Sequence, residues 1–174
     1  YFMRVSLDVR DLTYSREVLN FRFTQIADKL SLKWKVHFTE DKENVAILAS
    51  KTTHCLFDIL EKHGEGKLHC HIPLIIANHE SIQYVADQFN IPFHHLPINS
   101  ENWKEQQQVL LDLLTQHHVD LVVMARFMRI LSSEFINEYQ EKIINIHHAF
   151  LPAFQGANPY KRAYERGVKM IGAT

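Results

Sequence analysis

Apolar positions follow two different rhythms along the chain. In residues 2–9 they alternate with polar ones, as on a half-buried strand, in residues 11–30 they recur at helical spacing, and in residues 32–38 they alternate again. The pattern predicts a strand, a helix and a strand, with Thr13 or Ser15 placed to cap the helix. Val18, Leu19, Phe23, Ile26, Ala27 and Leu30 form its expected inward stripe. Taken alone, this is an ordinary α+β packing unit. A polar run, "TEDKEN" at 39–44, follows as the expected linker.

Beyond it the rhythm changes. "VAILAS" at 45–50, "IPLIIAN" at 72–78, "LVVMAR" at 121–126 and "IINIH" at 143–147 are short, nearly unbroken apolar runs, which suit strands covered on both faces. Helical stretches are predicted at 54–63, 80–90, 103–117, 133–139 and 159–166, with a small strand at 92–97 and Pro159 in a first helical turn. Repeated strand–helix–strand units imply an α/β fold with a doubly wound, mostly parallel sheet. In such sheets ligands gather beyond the carboxyl ends of the strands, near the point where strand order reverses. The candidate segments are therefore "KTTH", "NHE", "FMRIL" and "NIHHAF".

Composition narrows the partners. A chain of 174 residues with 46% hydrophobic residues, 22% charged residues and a net charge of −1 has neither the signature of disorder nor that of a nucleic-acid binder. Small metabolites are the expected ligands, with no nucleic acid and no membrane. Two cysteines, Cys55 and Cys70, without paired spacing, and no apolar run of the ~20 residues that cross a bilayer, point to a soluble cytoplasmic protein. Because "YFMRVSLDV" opens inside a strand pattern and "KMIGAT" closes on one, the chain is expected to be a piece of a longer polypeptide.

Asn145 and His147 are two apart, so on a strand they leave the same face, whereas His148 does not. A carboxamide donor beside an imidazole suits reaction at a carbonyl carbon, the amide holding a developing oxyanion and the ring handling a proton. The ordinary alternative is that both side chains satisfy neighbouring loop groups. The first βα loop, "SKTTHCLFDIL", has no glycine, which disfavours the close phosphate approach of a dinucleotide or Walker-type site. Lys51 there meets either an anion or water. The histidine clusters at 69–71, 94–95, 117–118 and 147–148 do not match zinc spacing, and no metal is expected. Cys55 is either reactive at its helix start or an inert core thiol.

"MARFMRILSSEF" followed by "IINIHHAFLPAFQGANPYKRAYERGVKMIGAT" resembles the folate-dependent formyltransferase superfamily, on its formyltetrahydrofolate-deformylase branch. The likeness covers residues 44–174, and residues 1–40, with "FMRV" and "LKWKVHF", resemble the C-terminal part of an ACT-like regulatory domain. The resemblance implies a catalytic domain over 41–174, lacking its C-terminal part, in which Asn145 and His147 are catalytic. The third member of the set, an aspartate, would lie beyond "GAT". Phe127, Met128, Arg129, Ile130 and Leu131 would form the folate-binding loop, backbone groups near Arg129, Ile130 and Leu131 meeting the pterin, and Pro152 and Gly156 would shape the next loop. It further implies hydrolysis of 10-formyltetrahydrofolate to formate and tetrahydrofolate, serving one-carbon and purine metabolism. Neither metal nor redox cofactor is implied, and an amino-acid effector and a homo-oligomer are. Two rivals remain at this point: formyl transfer to an amine acceptor, and a non-catalytic folate- or amino-acid-binding fragment.

Overall fold

The computed structural model describes residues 2–99, 101–145, 158–170 and 172. The chain divides into two compact units, Tyr1–Asp41 and Lys42–Thr174.

In the first unit, helix α1 spans Arg16–Leu30 rather than starting at residue 11. The Ser15 hydroxyl accepts the Val18 N–H at 3.4 Å, so Ser15 is the cap and Thr13 is not. Ser31, at φ 52°, ends the helix, and the Leu32 N–H returns to the Ala27 carbonyl at 2.8 Å. Of the expected inward stripe only Ala27 is buried, and Ile26 and Leu30 are exposed. Phe23 instead stacks on Trp34 at 5.5 Å, and the Arg16 guanidinium lies 4.1 Å from the Phe38 ring centre. The strands expected at 2–9 and 32–38 do not form. Alternation marks which side of a segment is apolar, but a strand exists only where a neighbour takes its N–H and C=O groups. Residues 2–38 offer no such neighbour among themselves.

The second unit alternates strands and helices. Its elements are β1 (Glu43–Ala49), α2 (His54–Gly64), β2 (Cys70–His71), β3 (Ile75–Ala77), a 3₁₀ turn (Glu80–Ile82) and α3 (Gln83–Gln88). There follow β4 (Phe93–His95), α4 (Trp103–Gln116), β5 (Leu121–Ala125), α5 (Ser133–Glu138), β6 (Ile143–Asn145) and α6 (Pro159–Glu165). The strand order is β4-β3-β1-β5-β6, with β2 also beside β1, and every pairing is parallel. The expected doubly wound sheet is therefore present.

Period-two alternation sends successive β1 residues to opposite cores. Ala46 and Leu48 join Leu110 and Leu114 of α4 and Phe135 of α5 on one face. Ile47 and Ala49 join Leu56 and Leu60 of α2 and Val85 and Ala86 of α3 on the other. Register between β1 and β5 is pinned at their starts. The Asn44 N–H reaches the Asp120 carboxylate at 2.9 Å, its side-chain amide reaches the His118 carbonyl at 3.0 Å, and the Asp120 N–H returns to the Asn44 carbonyl at 2.8 Å.

The strand predicted at 72–78 forms only over Ile75–Ala77, and a separate short strand precedes it at Cys70–His71. Cys70 and His71 pair with Glu43 and Asn44, and Ile75, Ile76 and Ala77 pair with Ile47, Leu48 and Ala49. Pro73 lies between, and without an N–H it cannot donate to a ladder. Pairing resumes where the Ile47 N–H reaches the Leu74 carbonyl at 3.3 Å. Burial pushes the Cys70 thiol up from its ordinary range. Cys70 is accordingly expected to react with iodoacetamide at pH 8 several-fold more slowly than an unhindered peptide thiol, read by mass spectrometry of the alkylated peptide.

Among the described residues, no helix is long and apolar enough to cross a membrane, and no three His, Cys, Asp or Glu side chains gather as a metal site.

Candidate active site

The chain passes from β1 to β3 and β4 on one side and returns to β5 on the other side of β1. The carboxyl ends of β1 and β5 therefore flank the point where strand order reverses, the place where parallel sheets bind ligands. β6 lies beside β5, with Asn145 paired in register to Met124.

The exit of β5 is unusually bent. The Arg126 N–H bonds back to the Met124 carbonyl at 3.1 Å, and both Arg126 (φ 60°) and Met128 (φ 58°) sit in the left-handed region without being glycine. Phe127 between them is 1% exposed and anchors the bend in the core, its ring centre 6.0 Å from that of Trp103. The two flanking reversals turn the neighbouring side chains out: Met128 is 58% exposed and Ile130 is 90% exposed. Leu131 packs back against the core. The predicted loop residues thus divide into a buried anchor (Phe127) and an outward apolar pair (Met128, Ile130). Arg129 reaches aside to the Ile98 carbonyl at 3.2 Å.

Helix α4 holds this loop. The Trp103 indole N–H donates to the Ile130 carbonyl at 2.8 Å, and the carboxamide oxygen of the buried Gln107 accepts the Ser132 N–H at 2.6 Å. Ser132 in turn caps α5, its hydroxyl accepting the Phe135 N–H at 3.2 Å. Hydrogen bonding to backbone at Glu134, and then to the Ser132 hydroxyl, holds the Glu134 carboxyl below the usual carboxylate range. Its capping contribution is present above the ordinary carboxylate pKa and is lost as pH falls through the lowered one. Gln107→Leu would leave the Ser132 N–H without its acceptor. It is expected to cost about 1–3 kcal/mol in urea unfolding, measured on the full-length protein.

Asn145 closes β6 with its side chain exposed, on the same sheet edge as the Arg126–Leu131 bend. His147, Pro152 and Gly156 lie outside the described residues. Across the edge, the loop after β1 carries Ser50, Lys51, Thr52 and Thr53 into α2. The Thr53 side chain makes no capping bond, and no acidic residue occupies the first turn of α2.

The sequence pattern does not show the frame or the polar group of Arg126. Trp103 and Gln107 registered only as helix residues, because their bonds to the loop span 27 and 25 residues. Arg126 falls inside a predicted strand, whereas Asn78 opens the candidate segment "NHE" without a role being assigned to it. Yet Arg126 Nε and Asn78 Oδ1 are buried without a hydrogen-bond partner. The one available signal was position, since each directly follows an apolar run.

Known proteins carry the same architecture. The chain is 47% identical over 174 residues to formyltetrahydrofolate deformylase of Synechocystis sp., and 41% identical over 174 residues to that of Bacillus subtilis. These alignments take in 100% of this chain and 61% and 58% of the relatives, so it spans about three fifths of their length. A crystal structure of a formyltetrahydrofolate deformylase from Pseudomonas syringae pv. tomato superposes with a TM-score of 0.89 at 37% identity, covering 94% of this chain and 55% of that one. Phosphoribosylglycinamide formyltransferase from Bacillus halodurans superposes at 0.70 and 28% identity, covering 76% of this chain and 70% of its own. The formyl transferase family model matches residues 43–174, the parallel sheet with its bent β5 exit and Asn145 edge, and the chain belongs to that family.

Proposed function

We propose that the full-length protein hydrolyses 10-formyltetrahydrofolate to tetrahydrofolate and formate. The observation that carries this reading is the extent of likeness. Proteins named formyltetrahydrofolate deformylase align over 100% of this chain, the first unit included, whereas the formyltransferase from Bacillus halodurans covers 76% of it. The glycine-free Ser50–Thr53 loop supports water over a phosphorylated acceptor, since it offers no close backbone approach to a phosphate.

In this reading the outward Met128 and Ile130 provide the apolar surface against which the pterin lies. Arg129 ties the middle of the loop to the Ile98 carbonyl, Leu131 packs its end on the core, and Pro152 and Gly156 shape the following loop. Asn145 donates to the formyl oxygen as it gains negative charge, and His147 moves protons between the attacking water and the departing amine. An aspartate beyond Thr174 completes the set. Neither a metal nor a redox cofactor takes part. Residues 1–40 belong to an ACT-like regulatory domain that responds to an amino acid and pairs across a homo-oligomer. The enzyme works in the cytoplasm, returning tetrahydrofolate to one-carbon metabolism and purine biosynthesis.

Incubation of the full-length protein with 10-formyltetrahydrofolate should release formate and tetrahydrofolate in equal amounts, with no dependence on glycinamide ribonucleotide. Turnover that appears only with that amine present would replace hydrolysis by transfer.

A further inference from the structure

We propose that Arg126 and Asn78 form a small-carboxylate site at the switch point of the sheet, and that it takes the formate released by the reaction proposed above, on which reading it rests. The register places the groups. Ala77, Ala49 and Ala125 are aligned across β3, β1 and β5, so the next residues, Asn78, Ser50 and Arg126, end three adjacent strands at one level. Neighbouring strands lie about 4.8 Å apart, which sets Ala77 and Ala125, the residues just before Asn78 and Arg126, about 10 Å apart across β1. That gap suits a one-carbon anion held between two side chains.

Two independent features of Arg126 call for a ligand. Its Nε is buried without a hydrogen-bond partner, and among the described residues its guanidinium joins no ion pair. Arg126 as a whole is half-buried, so it is this one N–H that lacks an acceptor, and buried polar groups are almost always satisfied. Its backbone also sits at φ 60°, a conformation that non-glycine residues keep where the surrounding structure enforces it, commonly at ligand sites. Asn78, two strands away, repeats the first feature, with its Oδ1 buried and unpartnered. A half-turn of that amide brings its NH₂ donor to the same buried position, where a carboxylate oxygen would accept from it.

The chemistry supplies the occupant. Water adds through oxygen to the formyl carbon, the carbon–nitrogen bond breaks, and the folate nitrogen takes a proton. The formyl carbon leaves as formate, with one proton released. A neutral amide thus becomes an anion, and a planar guanidinium holds that anion through paired N–H···O bonds while offering little to the neutral substrate. Arg126 directly follows β5 and Asn145 closes the neighbouring β6, where it pairs with Met124, so the product is formed at the end of the sheet from which Arg126 leaves. The site is a holding point for the departing carboxylate.

Isothermal titration of sodium formate into the full-length protein, without folate, tests this. Saturable binding is expected with a Kd of about a millimolar, the limit for so small a ligand. Arg126→Gln and Asn78→Ala should each weaken it at least tenfold, and Arg126→Lys less, because lysine keeps the charge without the fork. Sodium phosphate serves as the comparison anion. Undetectable formate binding in the wild type, equal binding in wild type and both variants, or Arg126-dependent binding of phosphate but not formate would overturn the site. Should Arg126→Gln prove unfolded by its thermal midpoint, Asn78→Ala decides. A deformylation assay on the same wild-type preparation separates the two readings. Formate release with Arg126-independent formate binding overturns the site alone. Arg126-dependent binding without formate release overturns its product role together with the proposed function.

Discussion

Asn145→Ala in the full-length protein is expected to lower kcat by about a hundredfold or more while folate affinity changes little. The carboxamide meets the formyl oxygen most strongly when that oxygen carries charge, so its removal costs the transition state and not the bound substrate. The fold should tolerate the change. Asn145 is exposed, and its place in the sheet is fixed by backbone pairing with β5, which a methyl side chain does not disturb. Thermal stability should therefore stay within about 0.5 kcal/mol of wild type. Asn145→Asp is the sharper variant, because it keeps the shape but sets a negative charge where a donor is required. Steady-state formate release and folate titration of the same preparations check both. Near-normal turnover of Asn145→Ala would remove the oxyanion role.

The largest stability effect is expected at Phe127. Truncation to alanine should cost about 3–5 kcal/mol in urea unfolding, through the lost burial of the ring and the cavity left beside Trp103. Phe127→Leu, which refills most of that space, should cost less than half as much. Phe127 is also the single buried point between two left-handed residues, so its loss frees the bend that carries Met128 and Ile130. The alanine variant should consequently bind folate more weakly even at temperatures where the protein stays folded. Denaturant titration beside folate titration separates the two effects, and a cost under 1 kcal/mol would show that the bend is held by α4 alone.

Much of the second unit could be read from the chain before any coordinates, and for a physical reason. Runs such as "VAILAS" and "LVVMAR" are apolar at consecutive positions, a composition that only a strand covered on both faces can bury, and Leu48 and Ile47 do face opposite cores. The sheet edge carrying Asn145 followed from the same argument. What stayed hidden was conformation and distance. Left-handed Arg126 and Met128 carry no glycine to announce them. The hold of Trp103 and Gln107 on the loop depends on α4 packing beside β5, which no local pattern states. In the first unit, helical spacing named Ile26 and Leu30 as inward, yet only Ala27 is buried, since periodicity defines a face without saying what covers it.

The central position of β1 has a bearing on how the protein is made. One flank of this strand is closed early by β2 and β3, but the other waits for β5, and Asn44 meets Asp120 across 76 positions of chain. At a ribosomal pace of about 5–20 residues per second, a nascent β1 stays open on that flank for about 4–15 seconds. During that interval the open edge of β1, apolar from Val45 to Ala49, is available to any other growing chain. Slower translation lengthens that interval, so yield in a cell should depend on chaperone supply more than the finished protein's stability suggests.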